Sequence, residues 1–150
     1  MTHKLIIRKM DMIDIDGVLK VEEASFIEPW PKEIFYQEIK NNDYAYYFVA
    51  QLDNEIIGYA GMWFVIDDAQ ITNIAILPEY RGQKIGEKLF EYTCQQAMRM
   101  GVKRLSLEVR TSNVIAQSLY KKFGFVPGGI RKNYYTDNQE DAIVMWVNLY

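Results

Sequence analysis

A short run rich in glycine and cationic residues, "YRGQKIGEKLFEY" at Tyr80–Tyr92, is the first candidate ligand site in the sequence. It follows a strand-like segment closed by Pro78 and becomes helical at about Gln83. A strand, a turn and a helix in this order direct several backbone N–H groups, and the positive end of the helix dipole, at one spot. Arg81 and Lys84 add positive charge there. The arrangement suits a phosphate group, although a plain strand-to-helix turn is the simpler interpretation of the turn taken alone.

The same residues exclude two common phosphate loops. A Walker A loop requires Gly-Lys followed directly by Ser or Thr, and the sequence contains no such tripeptide. A dinucleotide-binding fingerprint requires G-x-G-x-x-G, a spacing that Gly82 and Gly86 do not supply. A phosphate bound at this turn would therefore be held in a different way.

Two further side chains could transfer protons. Glu108 alternates with Leu107 and Val109, so it projects from the opposite face of a predicted strand together with Arg110. Tyr120 lies in the helix that follows. From the local sequence, Glu108 is most simply a residue of a solvated strand face beside an arginine, and Tyr120 a core residue whose hydroxyl finds a partner.

Other reactive residues are few. Asn113 is equally well explained as a helix cap or as a ligand contact. The single cysteine, Cys94, excludes an internal disulfide and a multi-cysteine zinc site, and its mid-helix position favours an inert buried thiol. The single histidine, His3, is at the N-terminus, so Ser-His-Asp and Cys-His chemistry has no plausible base. We expect no metal site and no acyl-enzyme.

The elements that must position these residues alternate between strands and helices, which predicts an α/β (α+β) fold with a mixed sheet and helices packed on it. Aromatic and β-branched runs predict strands. Helical spacing of apolar residues predicts helices, with Gly101 and Gly124 as terminators. The predicted strands are 4–10, 44–52, 55–66, 69–77, 103–110 and 141–150; the predicted helices are 11–26, 31–41, 83–100 and 112–124. Residues 125–140 are predicted to be irregular.

Composition limits the class of protein. The 150 residues fit a single domain spanning 1–150, and 49% hydrophobic with 25% charged residues is typical of a globular chain. A net charge of −3 argues against broad nucleic-acid binding. No apolar run approaches the roughly 18 residues of a membrane span, and the first residues are too charged for a signal peptide. We therefore expect a cytoplasmic protein without nucleic-acid or membrane partners.

The turn resembles the acyl-CoA pyrophosphate motif, Q/R-x-x-G-x-G/A, of the Gcn5-related N-acetyltransferases. The matching residues are Arg81, Gly82, Gln83, Lys84, Ile85 and Gly86. Lys84 stands where that family usually has glycine, and a bulky residue there predicts an ordinary helical φ. Five blocks, among them "EEASFIEPWP", "LEVRTSNVIAQSLYKKFGF" and "RKNYYTDNQEDAIVMWV", are similar to the RimI-type branch of the family, over nearly the whole chain.

The resemblance implies a fold of six to seven strands flanked by about four helices, and acetyl-CoA as co-substrate. It assigns the acetyl-CoA contacts to the turn and its flanks: Ile74, Ala75 and Ile76 through their main chain, residues Arg81 to Gly86, Glu87 and Asn113. It also makes Glu108 the general base and Tyr120 the acid that protonates the leaving thiolate. The backbone N–H groups beside Ile74–Ile76 could polarise the thioester carbonyl only if this strand separates from its neighbour there and leaves them unpaired.

The RimI-type branch acetylates the N-terminal alanine of a small-subunit ribosomal protein, so the resemblance implies that partner. Trp30, Tyr134 and Tyr135 are then predicted to contact the peptide, with Glu28 and Asp141 beside them. Two alternatives stay open: acetylation of a small-molecule amine or another protein, and a non-catalytic acyl-CoA-binding regulator. A pure binder would need neither Glu108 nor Tyr120.

Overall fold

Seven strands form one mixed sheet in the computed structural model of this protein, which describes residues 4–149. His3 lies outside the described residues. The strands are β1 Leu5–Lys9, β2 Ala45–Leu52, β3 Glu55–Val65, β4 Asp68–Ile76, β5 Arg104–Arg110, β6 Val126–Arg131 and β7 Ala142–Asn148. Their order across the sheet is β1-β2-β3-β4-β5-β7-β6, and only β4 and β5 pair in parallel.

In the described part of the chain, four α-helices pack on this sheet: α1 Ile15–Ser25, α2 Lys32–Asn41, α3 Ile85–Arg99 and α4 Val114–Lys122. The apolar face of α3 is buried through Leu89, Phe90 and Ala97, as its periodicity predicts. α3 ends where Gly101 adopts a φ of 85°, a conformation that glycine reaches without steric cost. The predicted fold class is therefore confirmed. Within residues 4–149, no helix is both long enough and apolar enough to cross a bilayer.

One strand, β6, was not predicted from the sequence. The prediction that 125–140 is irregular is wrong for β6, which pairs antiparallel with β7. All six residues of β6 are exposed, and Pro127 and two glycines interrupt any alternating pattern. A Cβ on Gly128 would lie 2.5 Å from the ring of Trp146, so glycine is required where β6 crosses that ring.

β4 and β5 separate in the middle of the sheet. They pair only from Asp68 with Arg104 to Ile71 with Leu107, whereas β4 continues to Ile76 and β5 to Arg110. Beyond Ile71, no strand among residues 4–149 pairs with β4 on its β5 side. The strand separation that would leave backbone N–H groups free for a thioester carbonyl is thus present.

Candidate active site

A cavity of about 390 Å³ lies where β4 and β5 separate. It is bordered by residues 71–74 of β4, residues 107–110 of β5, the end of α1 with the segment that follows it, α4, and residues 135–137 between β6 and β7. These elements bring together seven of the candidate site residues singled out in the sequence: Glu28, Trp30, Ile74, Glu108, Asn113, Tyr120 and Tyr135.

Glu108 is not on a solvated face. Its side chain is 9% exposed, and one oxygen, Oε1, accepts a hydrogen bond of 3.0 Å from the Gln70 amide. The guanidinium of Arg131 lies 3.6 Å from the same oxygen. The other oxygen, Oε2, is buried and has no hydrogen-bond partner within residues 4–149. One oxygen is therefore held by the protein, and the second is left for a ligand.

Arg110 holds the segment between β6 and β7 against the cavity. Its guanidinium donates to Asp137 at 2.8 Å and to Glu140 at 3.3 Å, and it lies 4.0 Å from the ring centroid of Tyr135. Hydrogen bonds from Ser112, then from Arg110, lower the pKa of Glu140 to about 2. These contacts persist from neutral pH down to mild acid and fail only as the pH falls toward that value.

Tyr120 borders the cavity from α4 and packs on Phe90, with 4.9 Å between ring centroids. Burial raises the pKa of Tyr120 to about 12, so its hydroxyl remains a proton donor at any physiological pH. Burial likewise raises the pKa of Cys94 to about 12, which agrees with an inert thiol.

The glycine-rich turn precedes α3, which begins at Ile85 rather than at Gln83. Gly82 has a φ of 78° and Lys84 a φ of 64°, both in the left-handed region. The prediction of a helical φ at Lys84 is wrong: lysine occupies there the conformation that glycine adopts more easily, at a cost of order 1–2 kcal/mol. Within residues 4–149, the backbone N–H groups of residues 82–84 donate no backbone hydrogen bond outside the helices and strands, and those of residues 85–87 form the first turn of α3, where N–H groups have no intrahelical acceptor. The turn therefore presents free donors at a helix N-terminus.

Two charged side chains near the turn are engaged by the protein itself. Arg81 donates to the Ile76 carbonyl at 2.9 Å and to the Ser25 hydroxyl at 3.2 Å, so it ties the turn to β4 and α1. Glu87 forms an ion pair with Lys122, which lowers its pKa and links α3 to α4.

The residues predicted for the peptide side divide into two groups. Trp30 and Tyr135 border the cavity. Tyr134 does not, but its hydroxyl lies near Glu108, and this carboxylate raises the pKa of the Tyr134 hydroxyl. Asp141 accepts a 2.9 Å hydrogen bond from the Asn133 backbone and does not border the cavity.

Several residues at the site could not be assigned to it from the sequence. Gln70 contacts Glu108 across 38 positions of the chain. Glu22, which the sequence offers only as part of an acidic pair, is 2% exposed and borders the cavity. Asn73 and Asp137 also border it.

Splayed strands, open N–H donors before α3 and a cavity bordered by a carboxylate and a phenol are features that an acyltransferase site requires. The model of the acetyltransferase (GNAT) family matches residues 15–125, and the chain belongs to that family.

Three proteins that are similar to this chain give a more specific comparison than the family as a whole. A protein of Bacillus subtilis (strain 168) is 56% identical over 149 residues, covering 99% of each chain, and bears the provisional name [ribosomal protein bS18]-alanine N-acetyltransferase. The crystal structure of the ribosomal-protein-S18-alanine N-acetyltransferase from Escherichia coli superimposes with a TM-score of 0.90 at 31% identity, covering 97% of this chain and 94% of the other. The PaiA N-acetyltransferase from Thermoplasma acidophilum, solved in complex with coenzyme A, shares the fold (TM-score 0.80, 22% identity, 97% and 99% covered).

Proposed function

We propose that this protein transfers the acetyl group of acetyl-CoA to the N-terminal alanine amine of ribosomal protein bS18. The observation that carries the proposal is the pairing, in one cavity, of an unpartnered Glu108 oxygen with a protonated Tyr120 hydroxyl. The acceptor is supported by the names of the Bacillus subtilis and Escherichia coli relatives. Such an acceptor would place the reaction in the cytoplasm.

The features of the chain fit acetyl-CoA. The free N–H groups of residues 82–87, at the positive end of α3, suit its pyrophosphate. The edge of β4 at Ile74–Ile76 lacks a β5 partner, and apart from the Ile76 carbonyl that Arg81 occupies, it can hydrogen-bond an extended amide-bearing arm and polarise the thioester carbonyl. Within residues 4–149, no cluster of His, Cys, Asp or Glu is suited to a metal ion.

Glu108 acts as the base in this proposal. An α-ammonium has a pKa of roughly 7.7–8.0, so Oε2 needs to remove one proton for the amine to attack the thioester. Tyr120 donates its hydrogen bond to the sulfur as negative charge develops there. Because a thiol has a pKa near ~8.5, a phenol at about 12 stabilises the departing thiolate by hydrogen bonding rather than by complete proton transfer. The second proton that the nitrogen loses on forming the amide passes to the thiolate or to water.

The proposal predicts selective acetylation of an α-amine. A peptide that begins with alanine should be acetylated efficiently, because its amine is partly neutral at pH 7 and its side chain is small. A lysine ε-amine, with a pKa near ~10.4, is mostly protonated and carries a long stem. Mass-spectrometric mapping of the added acetyl group on a lysine-containing peptide with an N-terminal alanine measures this directly.

The control is the same peptide with its N-terminus blocked, which should gain little acetyl. An acetyl group found on lysine, or only on polyamines in a parallel panel, would refute the acceptor while leaving an acetyltransferase. Absence of thiol release with every amine, in a protein that binds acetyl-CoA, would favour the non-catalytic regulator.

The acetyl-CoA site is tested at Gly86. A Cβ there would lie 3.6 Å from the Ile76 side chain, an ordinary contact, so Gly86→Val should fold normally. Its branched side chain would obstruct a phosphate at the turn, and we expect the KM for acetyl-CoA to rise at least tenfold with the peptide KM little changed.

Gly101→Ala is the matched control. Gly101 lies beyond the opposite end of α3, its Cβ would meet nothing within 4 Å and its φ is 85°, so the variant should lose roughly 1–2 kcal/mol of stability without reaching a ligand at the turn. If the KM for acetyl-CoA and the KM for the peptide rose equally in folded Gly86→Val, the turn would not be the phosphate site.

A further inference from the structure

A β-bulge brings Asn73 to the cavity. Gly61 of β3 pairs with Asn73 and Met62 pairs with Ile71, so Thr72 opposes no residue of β3. Successive residues of a regular strand point to opposite faces, yet Thr72, Asn73 and Ile74 all border the cavity. Bulges next to active sites commonly redirect a side chain in this way.

Asn73 has an acceptor atom that the protein does not use. Its Oδ1 is buried and has no hydrogen-bond partner within the described residues, as is also true of Glu108 Oε2. Buried polar atoms are nearly always paired, so an unpaired one beside a cavity requires an explanation. Both atoms belong to residues at the point where β4 and β5 separate, and both are acceptors.

A buried network fixes which end of the Asn73 amide is free. The two oxygens of Glu22 accept hydrogen bonds from the Tyr59 hydroxyl and, at 2.8 Å, from the Trp30 backbone. The Tyr59 proton is therefore committed to Glu22. Burial, then Glu22, raise the pKa of Tyr59, and a hydrogen bond with Asn73 opposes that rise. Asn73 must act as the donor in that contact, which assigns its NH₂ group to Tyr59 and leaves Oδ1 unused.

The charges around the cavity indicate what ligand would satisfy these atoms. Four carboxylates border it, those of Glu22, Glu28, Glu108 and Asp137. The single bordering cation among residues 4–149, Arg110, is paired with acids between β6 and β7, and Arg131, outside the lining, lies 3.6 Å from the Glu108 oxygen that Gln70 also contacts, so the carboxylates still outnumber the cations. A site of unused acceptors and excess negative charge suits a donor-only cation, and a primary ammonium supplies three N–H donors.

We propose that Asn73 binds an N–H of the acceptor's amine through Oδ1, while Glu108 binds another. This inference rests on the proposed function, because it needs an amine acceptor. Two acceptors on separate strands fix the rotation of the amine, so Asn73 is a substrate-binding residue that orients the nucleophile for the base.

The test combines enzyme variants with a pair of peptides. One peptide begins with alanine and the other with a propionyl group, which lacks only the amine. Their Kd values are measured by calorimetry in the presence of CoA, which carries no acetyl group to transfer. For the wild type we expect tighter binding of the amine peptide, and for Asn73→Leu a reduction of that preference by about tenfold or more, the worth of a hydrogen bond to a charged group.

Asn73→Asp gives the opposite expectation. It retains the shape of Asn73 and supplies an anionic acceptor, so the preference for the amine peptide should equal or exceed that of the wild type. A residue with only a structural role would alter both Kd values together and leave the preference unchanged. Unchanged preference in both folded variants would overturn the inference.

Failure of the proposed function can be distinguished from failure of the role of Asn73. If the wild type does not acetylate the alanine peptide, the bS18 assignment is wrong, and the two variants are compared on whichever primary amine the thiol-release panel identifies. A KM for that amine unaltered by Asn73→Leu would then refute the role of Asn73, and a tenfold rise would support it.

Discussion

Glu108→Gln is expected to lower kcat/KM for the acceptor peptide by roughly 10²–10⁴, the usual contribution of general acid–base catalysis. Glutamine has the shape of glutamate, and its carbonyl oxygen can still accept the hydrogen bond from Gln70, so the strand should pack as before. The lost property is the basicity of the free oxygen. Activity should recover in part at high pH, because the α-amine then deprotonates without a base. Steady-state rates across a pH series measure both effects.

Glu28→Gln is a matched control for Glu108→Gln. Glu28 is another carboxylate on the cavity, and it accepts a 3.0 Å hydrogen bond from Thr136. Its substitution should cost far less and should leave the shape of the pH profile unchanged. Equal losses in the two variants, or a Glu108→Gln loss that is constant with pH, would mean that Glu108 contributes charge or structure and not proton transfer.

Tyr120→Phe should also reduce kcat strongly, by roughly 10²–10³, but without rescue at high pH. The substitution removes only the hydroxyl from a side chain surrounded by Phe90 and Phe125, so the packing should be retained. The missing donor leaves the departing thiolate without stabilisation, and losing one such donor typically costs this much. Because the pKa of Tyr120 is about 12, ionisation of this residue should not limit the wild-type rate below about pH 11.

The control for Tyr120→Phe is Tyr92→Phe, at a tyrosine that packs against Phe48 away from the cavity. It should retain full activity. A fully active Tyr120→Phe variant would mean that Tyr120 has only a structural role in the core. In that case, acetyl-CoA analogues with a more acidic thiol would not raise the rate of the variant more than that of the wild type.

Much of the fold and part of the site could be predicted from the sequence. Local patterns were sufficient for α3, whose apolar face repeats at helical spacing, and for the hairpin of β2 and β3, whose residues are aromatic and β-branched. The glycine-rich turn was recognisable because the phosphate binding proposed for it depends on backbone N–H groups that lie close together in the chain. Glu108 and Tyr120 were identified through family resemblance, since their local surroundings favoured a surface carboxylate and a core phenol.

Only the tertiary structure decided the remaining features, because each depends on residues far apart in the chain. β6 has no buried face of its own and forms by pairing with β7. The unused oxygen of Glu108 becomes evident once Gln70, 38 positions away, is seen to occupy the other. Burial of Glu22 depends on Tyr59, and exposure of Asn73 to the cavity depends on a bulge against β3. Periodicity reports which face of an element is apolar, but it does not report which distant side chain will meet a polar atom, and that meeting determines the chemistry of this site.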